Sequence, residues 1–137
     1  MGNSKSKTLN PKQYQNTNFP NPKKYDLEER TLKFAKNVRE FIKALPKSVS
    51  NYEDCKQLSR SSGSIGANYI EANESLSRKD FVMRVKISRK EAKESVFWLN
   101  LVDLGDSNKD LNIRREFLVK EAMELTKIFG AIVEKSK

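Results

Sequence analysis

From Asp26 onward, apolar residues return every three or four positions and rarely alternate with polar ones, which is the period of helices. The pattern predicts four of them. The first runs from Asp26, a good N-cap, to Leu45, where Pro46 stops it; Leu27, Phe34, Val38, Phe41, Ile42 and Leu45 share one side. The second spans about 51–74, with Leu58, Ser62, Ile65, Tyr69 and Ala72 on one face at spacings of 4, 3, 4 and 3. The third opens at Ser77, where SRKD reads as a capping box. It is expected to continue to Leu104, with Gly105 as its C-terminal stop and Phe81, Val85, Ser88, Ala92, Val96 and Leu99 inward. The fourth covers about 110–135, with Leu111, Leu118, Ala122, Leu125, Phe129 and Ile132 inward. Short connections between such helices make neighbours antiparallel. The predicted architecture is all-α, an up-down-up-down antiparallel four-helix bundle.

Residues 1–25 lack the period. They are rich in Asn, Lys, Pro and Thr, and Pro11, Pro20 and Pro22 oppose a helix, so a disordered basic arm is expected before a bundle domain at 26–137. The opening MGNSKS also fits the N-myristoylation pattern, Gly2 with Ser6, but six residues carry little weight. Neither a secretory leader nor a membrane-spanning stretch is evident. The single cysteine, Cys55, allows no internal disulfide and suits a cytoplasmic setting. There is no histidine, which removes the commonest general base and metal ligand, so no enzyme activity, cofactor or metal site is expected.

Charge changes the picture more than composition does. The net charge is +9, and the arm holds +5 of it in Lys5, Lys7, Lys12, Lys23 and Lys24. A second concentration lies between residues 78 and 93: Arg78, Lys79, Arg84, Lys86, Arg89, Lys90 and Lys93 against Asp80 and Glu91. Lys79, Lys86, Lys90 and Lys93, spaced 7, 4 and 3, form a single helical stripe. Such clustering points to a polyanionic partner, held through its phosphates with little regard to sequence. No exposed aromatic for base stacking is evident beside it.

Two further stretches invite a site. LSRSSGSIGANYIEA, residues 58–72, has the glycines and serines of a phosphate loop, yet no strand precedes it and no GK[ST] follows. A helix with a flat strip, Ser59, Gly63, Gly66 and Ala67, explains it better as a close contact surface, most economically within the bundle. Glu91 and Glu94 share a side with Ile87, Trp98 and Leu101. A carboxylate pair could bind metal, but without histidine a structural network with Arg60 and Asn68 of the second helix is the better expectation.

These residues also carry a resemblance. RSSGSIGANYIEA at 60–72, SRKDF at 77–81, KEAKES at 90–95, Trp98–Leu99 and KEAMELTKIFGAI at 120–132 recur in that order in one family of four-helix bundles. It comprises the proteins encoded in intervening sequences of bacterial large-subunit ribosomal RNA genes and the accessory variability determinants of diversity-generating retroelements. The resemblance covers about residues 26–135. It implies a barrel-like homopentamer and, for the retroelement branch, nucleic-acid binding in partnership with a reverse transcriptase. The function expected is a non-enzymatic accessory protein for RNA or an RNA–DNA hybrid. The alternative is a protein-interaction scaffold of the intervening-sequence type.

Overall fold

A computed structural model describes residues 22–106 and 108–137. They form four helices, α1 (Pro22–Ala44), α2 (Val49–Asn73), α3 (Arg78–Leu101) and α4 (Lys109–Lys135), with no strand among the described residues. The chain divides at residue 30 into two units. In the first, the described residues 22–30 are the opening turns of α1. Residues 22–25, expected in the arm, are therefore helical; proline suits the first helical position because its missing N–H would have had no partner there. The rest of the arm, including the Gly2–Ser6 pattern, lies outside the described residues.

In the second unit, residues 31–137, the chain runs up, down, up and down. Residue numbers rise along α2 as their partners' numbers fall along α3: Ser61 Oγ lies 2.9 Å from Ser95 Oγ, Ser88 Oγ donates to the Ile65 carbonyl at 2.9 Å, and Arg84 donates to Asn68 at 3.1 Å. At the α3–α4 seam Arg89 lies beside Gly130, and Arg115 donates to the Val102 carbonyl. Phe34, Val38, Phe41, Leu58, Ile65, Leu99, Leu125 and Phe129 are almost wholly excluded from water and form the core. Tyr69 of α2 meets Phe129 of α4 with ring centroids 5.5 Å apart, and the Arg114 guanidinium lies over Phe41.

The expected inward stripes hold with small rotations. Ile42, Phe81, Val96 and Ile132 are half-buried, and Val133 is buried in place of Ile132. The small strip divides in two. A Cβ on Gly66 would stand 2.7 Å from Thr31 Oγ1, so α1 crosses there and any larger residue would force Thr31 to shift; Gly63 faces open space. Close approach within the bundle is thus the use of Gly66.

Helix ends follow capping chemistry. Ser48, Ser77 and Asn108 accept from the N–H of the third residue on, Asn51, Asp80 and Leu111. The expected end of α3 at Leu104 is corrected: the helix stops at Leu101 and Val102 is extended (ψ 146°). The cause is Asn51. Its amide donates to the Asp103 and Pro46 carbonyls and accepts from the Asp103 N–H, tying the α1–α2 loop to the α3–α4 loop. Gly105 still turns the chain at φ +84°, with Pro46 close by.

Candidate nucleic-acid interface

The candidate interface lies on α3, whose two sides differ in chemistry. Its inner side meets α2 through Arg84, Ser88 and Ser95. Its outer side presents Lys79, Lys86, Lys90 and Lys93, all exposed, on one line. Arg78 is exposed at the helix start. Among the described residues none of these five cations has an ion-pair partner. The acids of α3 are elsewhere: Asp80 is in its first turn, and Glu91 and Glu94 turn toward α2.

The other two expected contacts are differently placed. Arg84 is half-buried, donates to Asn68 and pairs with Glu71 at 3.1 Å, so its charge is spent on the α2 seam. Arg89 is half-buried and lies along Gly130 of α4, its Cδ 3.8 Å from where a Cβ would be. The structure therefore lines up Lys79, Lys86, Lys90 and Lys93, sets Arg78 and Arg89 to one flank and turns Arg84 to the α2 seam. The helical period explains this, since 78, 84 and 89 fall off the line of 79, 86, 90 and 93.

The expected polar network forms with one exception. Arg60 spreads its guanidinium over two carboxylates, donating from Nη1 to Glu91 at 3.2 Å and from Nη2 to Glu94. Trp98 Nε1 donates to the same Glu94 oxygen at 2.9 Å. The Glu91 side chain is 8% exposed, a carboxylate that needs its cation. The Trp98 hydrogen bond, followed by Arg60, holds the Glu94 carboxyl below the usual range, against the opposing effect of burial. Bonding to Glu94 likewise raises Arg60. The exception is Asn68. It lies two turns beyond Arg60, and the antiparallel register sets residue 84 opposite it rather than 91 or 94, so it receives Arg84 and donates to the Ser64 carbonyl. Among the described residues no group of three or more His, Cys, Asp and Glu side chains is placed to hold a metal ion.

One exposed residue on this face escaped the sequence reading. Phe97 falls four residues after Lys93 on the outer line and is 58% exposed, overturning the expectation that no aromatic accompanies the lysines. The 3.6-residue period places 79, 86, 90, 93 and 97 on one face. Met83 and Leu101 are exposed on the same side.

A second surface lies between the end of α1 and the start of α2. It is an open groove of about 830 Å³, floored by Ile42, Leu45, Val49 and Tyr52 with Cys55 in its wall. Burial pushes the Cys55 thiol up, Asp54 adds to this, and Lys47 opposes it, so this is not an activated nucleophile. Lys43 and Lys56 on the rim are each paired within their own helix, with Glu40 and Glu53. No helix of the described residues is long and apolar enough to cross a membrane.

The comparisons agree with this architecture. The chain is similar, with a TM-score of 0.70 and 29% identity, to the crystal structure of a protein of unknown function from the S23 ribosomal protein family of Bacteroides thetaiotaomicron VPI-5482. The match covers 82% of this chain and 98% of that one. No curated protein matches. Residues 23–127 match the profile of the 23S rRNA-intervening sequence proteins, and this chain belongs to that family.

Proposed function

We propose that the protein is a non-enzymatic nucleic-acid-binding accessory protein whose outer α3 face contacts phosphate. One observation carries the reading. Arg60, Arg84 and the carboxylates of the α2–α3 seam are engaged with one another, whereas Arg78, Lys79, Lys86, Lys90 and Lys93 are left facing solvent with no partner among the described residues. An unneutralised cation line of this kind attracts a polyanion and releases its counterions on contact. RNA, or an RNA–DNA hybrid, is the ligand favoured by the resemblance of the chain. Assembly into a homopentamer would repeat the line once per subunit. It would also give a role to Ile113, Phe117 and Met123, which α4 exposes. Five copies of a 15.8 kDa chain make a particle of about 79 kDa, which light scattering would detect.

The test replaces Lys86, Lys90 and Lys93 with glutamine and titrates labelled RNA and DNA at several salt concentrations, on protein that keeps its oligomeric state. Binding to both should weaken together, and the dependence on salt should flatten by about one unit of slope for each phosphate the variant no longer touches. Replacing Lys5, Lys7 and Lys12 in the same way examines the arm as a rival site. Unchanged affinity in the α3 variant, with weaker binding in the arm variant, would move the function to the arm.

A further inference from the structure

We infer that Phe97 is a base-stacking platform and that the outer α3 face is built for single-stranded nucleic acid. The inference rests on the nucleic-acid reading proposed for this face and narrows it. A line of lysines alone touches phosphates and cannot tell a paired strand from an unpaired one. An exposed aromatic on the same line can, because only an unstacked base offers its face to a ring.

Phe97 meets the requirements one by one. It continues the line of Lys79, Lys86, Lys90 and Lys93 at a spacing of 4, one turn beyond the last lysine. At about 1.5 Å per residue, Lys93 and Lys90 stand roughly 6 and 10 Å back along the axis, within reach of phosphates flanking a base on the ring. The residue is 58% open to solvent. Its ring is also braced from behind. Trp98 packs against it edge to face, with centroids 5.0 Å apart and planes at 83°. Trp98 is itself pinned by its Nε1 bond to Glu94, which Arg60 holds from α2. A platform fixed before binding loses little rotamer freedom on binding. Met83 and Leu101 border the line with apolar surface; the nearest carboxylate of α3, Glu94, is close enough to feel Lys90 but is bonded to Arg60 and Trp98. The face of a protein partner would ordinarily ask for charges of both signs around such a ring. Cations alone suit a polyanion that carries aromatic bases.

The experiment compares three oligonucleotides of equal length: a single-stranded oligothymidylate, an abasic strand of the same charge, and a duplex, whose two strands double the phosphates per base step. They are titrated against wild type, Phe97→Leu and Tyr52→Leu, the last an exposed α2 ring off the lysine line. The chain has one tryptophan, Trp98, so its emission reports directly on what reaches Phe97. Wild type should bind the oligothymidylate about tenfold more tightly than the abasic strand, with a change in Trp98 emission. Phe97→Leu should erase that margin and leave abasic binding unaltered, and Tyr52→Leu should change neither. Equal, salt-sensitive binding of the oligothymidylate and the abasic strand by wild type and Phe97→Leu would overturn the stacking inference and leave the phosphate reading standing. Loss of oligomeric state in Phe97→Leu, with equal loss for every ligand, would overturn it in favour of contact between copies. Binding of none by wild type would overturn both.

Discussion

The two sides of α3 both carry polar groups and treat them in opposite ways. On the inner side, each polar group that meets α2 has a partner. Ser88 reaches the Ile65 carbonyl, Ser95 meets Ser61, and Glu91 and Glu94 share Arg60. On the outer side, Lys79, Lys86, Lys90 and Lys93 have no ion-pair partner among the described residues, and an aromatic ring stands in water beside them. Burial explains the difference. A polar group withdrawn from water costs free energy unless it is bonded, so the inner side is constrained by stability. An exposed lysine is solvated and costs the fold almost nothing, so a stripe of them is free to answer to a ligand. The lesson is to look for function where charge is left unspent.

The largest effect should come from the outer side and leave the fold untouched. Lys86, Lys90 and Lys93 changed together to glutamine should weaken RNA binding by about a hundredfold or more at low salt, since each contact contributes on the order of 1 kcal/mol or more. The midpoint of urea unfolding should hardly move, because exposed positions away from caps and pairs change stability by less than about 0.5 kcal/mol. A variant that loses binding and stability together would break the contrast.

The next prediction carries the same contrast to α2, between two glycines three residues apart. Gly66→Ala should destabilise by about 1–2 kcal/mol net, because its Cβ would sit 2.7 Å from Thr31 Oγ1 and 3.1 Å from Thr31 Cβ in a buried seam. Gly63→Ala meets nothing within 4 Å and should stabilise by up to about 1 kcal/mol through helix propensity. Chemical denaturation of the two variants measures the difference. Destabilisation by Gly63→Ala would mean that this face is covered in the assembled protein.

A third variant opens the inner side directly. Arg60→Ala leaves Glu91, 8% exposed, without its cation and Glu94 with only Trp98. Half of Arg60 lies in water, so screening trims the cost of a fully buried pair to about 1–2 kcal/mol. Lysine should not restore it, since a point charge cannot span two carboxylates as the guanidinium does. Full stability in Arg60→Lys would show that charge alone suffices.

Most of the fold was legible because the four helices each carry an apolar stripe of the right period, and because Pro46, Ser77 and Gly105 punctuate them. What escaped depended on distant partners. The early end of α3 is set by Asn51, fifty-two residues away, whose amide pins Asp103. Asn68 meets Arg84 instead of the expected Glu91 and Glu94, because only the antiparallel register says which residue stands opposite. The lysine line was visible from spacing alone. Phe97 lay on that line too, but one aromatic between Val96 and Trp98 reads as core until the neighbouring helices show which side is occupied.

The smallest effect concerns Glu94 and separates a structural carboxylate from a metal ligand. Its carboxyl sits below the usual range because Trp98 and Arg60 bond to the charged form. A carboxyl depressed by folding stabilises the native state above its unfolded value, and that contribution is lost as pH falls through the folded one. Stability should therefore decline from about pH 5 downward as the unfolded chain, then the folded one, takes up the proton. Glu94→Gln keeps an acceptor for the Trp98 N–H and removes the charge facing Arg60. It should lower stability at neutral pH by at most about 1 kcal/mol, the scale of a partly exposed ion pair, and make the acid decline shallower. Both should be indifferent to a chelator, because the partners of Glu94 are protein groups. Urea midpoints across pH 3–7, with and without chelator, decide the matter. An identical acid slope in wild type and variant would remove Glu94 from the network's energetics. Stoichiometric iron or manganese in the purified protein, absent from the variant, would make the Glu91–Glu94 pair a metal site and the outer side of α3 no longer the sole functional side.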